Sequence, residues 1–177
     1  MQSNFYTSSI GRKVIMAATG LFLMAFLGVH LALNATILAN DGGVLFDRTA
    51  ELFRQNWGLH LLEMLVLGGF IVHIGQGIAL GVDNRSKRST PYAVNSRLTI
   101  EPARVMGWLG AVILVFLVLH LYQFWLPNIL GTRSEDLSQI VRSSMSQSWV
   151  VAIYVLGCLA VAAHLWHGGR SAAITLG

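Results

Sequence analysis

The chain has 177 residues, 54% of them hydrophobic and only 11% charged, against roughly 25% charged in ordinary soluble domains. Mean hydropathy is +0.61, and the long apolar stretches lack the polar faces that a water-soluble helical core requires. The net charge of +4 does not signal nucleic acid, because no basic stripe carries interleaved aromatics.

In chain order, a polar lead-in over 4–9 and the basic pair Arg12 and Lys13 precede a first apolar span, 14–38. This span is too long for a signal peptide and contains a histidine, His30. The second span, 57–82, opens near His60 and Glu63 and carries HIGQG from His73. A basic, Ser- and Pro-containing loop leads to the third span, 105–126, which holds FLVLHL around His120. After a polar stretch expected to lie along the outer surface comes the fourth span, 149–167, with HLWHG from His164. Each span has about 20 residues or more, enough to cross a hydrocarbon core of about 30 Å at 1.5 Å per residue. The expected fold is an all-α integral membrane bundle of four spans, one domain over 1–177.

Orientation follows from charge. Arg12, Lys13, Arg85, Lys87, Arg88, Arg97, Arg104 and Arg170 fall on one side, eight of the twelve basic residues. Arg48, Arg54, Arg133 and Arg142 fall on the other, among Asp41, Asp47, Glu51, Glu135 and Asp136. Positive-inside bias then puts both termini and the 83–104 loop in the cytoplasm.

Histidine is costly in lipid, and an intramembrane copy is a functional candidate by default. With this topology His30 and His120 share an outer level and His73 and His164 an inner one, the levels separated by roughly 14 Å. The flanks repeat too. Met16 and Gly20 precede His30 by 14 and 10 positions, as Met106 and Gly110 precede His120. Gly77 and Gly168 follow His73 and His164 by four. Two matched pairs suggest axial ligation of two iron porphyrins. Zinc would usually want four ligands at one point, which two separated pairs do not supply.

Other residues carry weaker signals. His167 can replace His164 as ligand, contact a haem propionate or reach water. Arg12, Lys13 and Arg170 sit where porphyrin carboxylates would emerge and can pair with them; topology-setting charge explains them equally. His60 and Glu63, three residues apart, form an outer pocket for a quinone headgroup or an interfacial pair. An inner pocket near Ser8, Ser9 and Arg12 is the alternative quinone site. Trp57, Trp108, Trp125 and Trp149 fit an aromatic belt. The lone Cys158 is expected as a small buried core residue.

SSIGRKVIMAATGLF, the FLGVHL and FIVHIGQG spans, PYAVN, LVLHLYQFW and the terminal HLWHGGRSAAITLG together resemble one group from about Ser8 to Gly177. It is the di-haem cytochrome b membrane anchor of succinate dehydrogenases and fumarate reductases. The resemblance implies two b haems, the distal one held by His30 and His120 and the proximal one by His73 and His164. It implies docking of an iron–sulfur and a flavoprotein subunit on the cytoplasmic face of a bacterial or archaeal inner membrane. Electrons would pass between succinate and a membrane quinone, typically menaquinone. Higher oligomers of the whole complex are left open. Members usually have a fifth helix, and four spans are visible here; some have a glutamate where this chain has Ala162. The succinate site itself belongs to the partners, since one cysteine cannot ligate a cluster. Two alternatives stay open: a cytochrome b anchor of a nitrate reductase, formate dehydrogenase or hydrogenase, and a haem-free bundle handling protons.

Overall fold

The computed structural model describes residues 8–86, 102–132 and 135–177. The lead-in before Ser8, most of the basic loop (87–101), Arg133 and Ser134 lie outside the described residues. Among the described residues all regular structure is helical: α1 (Ser9–Ala35), α2 (Val44–Gln55), α3 (Trp57–Ser86), α4 (Pro102–His120), α5 (Leu126–Ile129), α6 (Leu137–Met145) and α7 (Ser148–Leu176). Four stretches are long and apolar enough to cross a bilayer, Ile10–Leu38, Trp57–Asp83, Val105–Ile129 and Ser148–Leu176. This is a multi-pass helical membrane architecture. Its outer surface carries large apolar side chains, Leu31 at 69% and Ile71 at 72% exposure among them. Its few buried positions are mostly small, such as Ala17 and Ala160, and they let backbones approach closely, as membrane helices prefer.

All four spans run further than expected, the first and fourth for visible reasons. Ser8 Oγ accepts the Gly11 N–H at 3.0 Å, so α1 starts at Ser9 and takes Arg12 and Lys13 into its first turns. The fourth span does not end at 167. Gly168 and Gly169 lie against the methyl ends of Met106 and Met24, and this packing carries α7 on to Leu176 despite the low helix propensity of glycine. Cys158 is exposed on the outside of the bundle and is not a core residue; it points away from the helix contacts made by Gly157 and Ala160, which are buried.

Near its end α4 widens into a π-helical turn over Leu121–Trp125, where the Leu126 N–H reaches back to the Leu121 carbonyl. Pro127 explains it. A proline offers no N–H to the carbonyl four residues back and its ring crowds that carbonyl, so the turn before it opens by one residue.

α1 packs along both α3 and α7, α7 also packs along α4, and α3 touches α4 only briefly. Around the bundle the order is therefore α1, α3, α4, α7, with one slack seam between α3 and α4. At one end α2 and α6 clasp each other. Asp47 of α2 accepts the Ser138 N–H at 2.9 Å and the Ser138 hydroxyl at 2.5 Å, a carboxylate capping the start of α6 from another helix. Gly43 makes the approach possible: its φ of 105° excludes most side chains, and a Cβ there would fall 2.7 Å from Ser138 Cβ.

Candidate functional site

Each diagonal of the bundle carries one histidine pair. His30 of α1 faces His120 of α4 with ring centroids 5.7 Å apart and planes at 85°. His73 of α3 faces His164 of α7 at 6.3 Å and 75°. Helix register gives their separation. The lower pair meets α1 at Thr19 and Gly20: Thr19 Oγ1 lies 3.1 Å from His73 Nδ1, and a Cβ on Gly20 would fall 3.2 Å from His73 Cε1. Gly20 is ten residues before His30, about 15 Å along the axis. The opposite corner agrees, because Tyr154 packs on His120 at 6.1 Å and stands ten residues before His164.

The upper pair is wrapped in aromatic rings. Phe26 lies 5.6 Å from His30, and Phe116 and Phe124 lie 5.9 and 5.4 Å from His120. Phe26 and Phe116 are the first letters of the repeated FLGVHL and FLVLHL, so one helical turn places each on its histidine. Tyr154 of α7 closes the cage, and its hydroxyl donates at 2.6 Å to Oε1 of Gln123, which lies within the widened turn. Asn34 Nδ2 donates to the His30 carbonyl at 2.7 Å and lies 3.3 Å from His30 Nε2.

The sequence repeat is a packing repeat. A Cβ on Gly77 would meet the Met16 methyl at 3.3 Å, and one on Gly168 would meet the Met106 methyl at 3.8 Å. The two halves are nonetheless unequal in polarity. His120 Nδ1 and His164 Nδ1 are buried without a hydrogen-bond partner, as is Gln76 Oε1 one turn from His73. Orphaned buried polar atoms of this kind cost about 1–3 kcal/mol each.

These pairs suit a metal held between two imidazoles. A metal–nitrogen bond of about 2.0–2.1 Å on opposite faces of one ion places two ring centroids roughly 6 Å apart, and neither bond fixes the angle between the rings. Among the described residues no group of three His, Cys, Asp or Glu side chains could hold an ion, so a metal at either pair would need ligands beyond these side chains.

The other expected residues are placed as follows. The ring that meets His73 is that of His164; His167 is exposed. Arg12 is ion-paired with Asp83, linking α1 to α3, while Lys13 and Arg170 are exposed. His60 Nδ1 lies 3.3 Å from Glu63 Oε2, and His60 Nε2 lies 3.0 Å from the Arg54 carbonyl. Glu63 is ten residues before His73, so α3 carries it to the height of the upper pair. Sequence reasoning missed Thr19, Asn34 and Tyr154. Tyr154 had a visible signal, since it follows Glu63 by the same 91 positions that separate His73 from His164.

No family model matches the chain, and no curated protein or solved structure matches it either.

Proposed function

We propose that the chain is the haem-binding anchor of a succinate:quinone oxidoreductase, serving electron passage between an iron–sulfur subunit and a membrane quinone. One observation carries the reading: four intramembrane histidines meet as two ring pairs, one on each diagonal, about 15 Å apart in height. Iron porphyrin bound there supplies one-electron redox chemistry at two levels of the membrane. His30 and His120 hold the distal group, His73 and His164 the proximal one. Phe26, Phe116, Phe124 and Tyr154 keep water from the distal pair and limit the rotation of its rings. Lys13 and Arg170 offer cations to propionates at the other end of the bundle; Arg12 shares its charge with Asp83.

The quinone headgroup fits best beside His60 and Glu63. Their carboxylate–imidazole contact can take or give a proton where a quinone is reduced, at the level of the upper pair. The charge bias of the loops supports cytoplasmic termini and cytoplasmic docking of the iron–sulfur and flavoprotein subunits in a bacterial or archaeal membrane. Menaquinone is the quinone that the motif resemblance implies.

The test is a reduced-minus-oxidised optical spectrum of the purified chain and of its histidine variants. A sharp b-type α-band is expected. His30→Ala or His120→Ala should remove about half of it, and His73→Ala or His164→Ala the other half. A bundle without any such band ends the haem reading. Co-purified partners that reduce quinone with succinate would assign the complex; partners of a nitrate reductase, formate dehydrogenase or hydrogenase would redirect it. The Asn34 contact with His30 Nε2 favours the haem-free alternative, in which the histidines pass protons, and the same spectrum decides between them.

A further inference from the structure

We infer that Thr19 is a positioning residue that fixes His73 as its Nδ1–H tautomer and leaves Nε2 free for a metal. The inference extends the haem reading above, yet the tautomer itself can be measured without haem.

A threonine hydroxyl has one proton to give. That of Thr19 lies 2.8 Å from the Ile15 carbonyl and 3.2 Å from the Met16 carbonyl, the back-bonding that helical threonines favour. With its proton turned toward the backbone, the oxygen presents lone pairs to His73 Nδ1 at 3.1 Å. The nitrogen must then be the donor. The ring edge carrying Nδ1 and Cε1 also faces Gly20. In neutral imidazole a proton on Nδ1 leaves the lone pair on Nε2, the form in which histidine binds metal.

The internal repeat supplies the control. Ninety positions after Thr19 stands Leu109, which has no hydroxyl to offer. The histidine of the second half, His164, accordingly has a buried Nδ1 without a partner. The lower pair is thus built from one oriented ligand and one bare one. The upper pair is made in another way, with Asn34 reaching Nε2 of His30 and Phe124 at the matching position ninety residues on.

The experiment uses the full chain with 15N-labelled histidine, produced under haem limitation and placed in lipid nanodiscs. Nitrogen chemical shifts should identify His73 as protonated on Nδ1. Thr19→Val, which keeps the shape and removes the acceptor, should give a mixture of tautomers, and Thr19→Ser should restore the wild-type signal. A wild-type His73 protonated on Nε2, or a Val variant with unchanged shifts, would overturn the inference. Haemin is then titrated in. Loss of an outer-sphere partner lowers metal affinity about 10–100-fold, and Thr19→Val should show this for one of two haems while the other binds normally. Equal haem affinity in Thr19→Val would also count against Thr19. Failure of every variant, wild type included, to take up haemin would sink the haem reading and leave the tautomer result standing.

Discussion

Asn34 and Gly20 act on their histidines in opposite senses. The Asn34 amide is anchored on the His30 carbonyl and only leans on Nε2, at 3.3 Å. Ligation through Nε2 must displace it. Asn34→Leu should therefore tighten haemin binding at the upper pair by about fivefold, the worth of a hydrogen bond of about 1 kcal/mol; weaker binding in titration would show that the amide supports the site. Gly20 lies where any side chain would press on His73 Cε1, so Gly20→Val should reduce haem at the lower pair and spare the upper. The histidines themselves were legible from sequence because lipid makes each one conspicuous. Their partners were not. Thr19 reaches His73 from another helix, 54 positions away, and a threonine in an apolar run signals nothing until the helices are packed.

At the scale of elements, the helices that cross the membrane were legible from composition alone, while those at its edge were hidden. α2 is short and mixes charge with apolar residues, of which Phe46 is the buried one; its stability comes from caps and from α6. Asp47→Ala removes two hydrogen bonds to Ser138 and leaves the α6 start uncapped, a loss of about 1–2 kcal/mol. Faster amide exchange in α2 and α6 with unchanged exchange in α3 would bear this out; uniform exchange would not. α2 also has its own anion. The backbone N–H groups of Gly43 and Leu45 hold the Asp41 carboxyl below its ordinary value. A depressed carboxyl stabilises above the ordinary value, about 3.9, and loses that effect as pH falls through the depressed one. The Gly43 and Leu45 amide resonances should shift together with a midpoint below 3.9, and a midpoint above it would refute the contact. The widened turn after His120 was equally hidden, although Pro127 six residues past its start names the cause in retrospect.

For the molecule as a whole, the offsets of 90 and 91 positions made the duplication readable, and with it the expectation of histidines in twos. The departure from symmetry was not readable. If the halves packed as equals, α3 would lie along α4 as α1 lies along α7, yet that seam stays slack. Gly110 is a second departure, on the α4 side: a Cβ there would meet nothing within 4 Å, whereas one on its counterpart Gly20 would press on His73. A stiff planar macrocycle cannot thread between tightly meshed cylinders. Under the haem reading it would need a sideways doorway, and the loosely packed edge between the second and third crossings is the natural place for one once the chain is in the bilayer. Tethering those two crossings together before pigment is supplied should leave an inserted, folded and colourless protein, whereas the same tether closed afterwards should trap the colour inside.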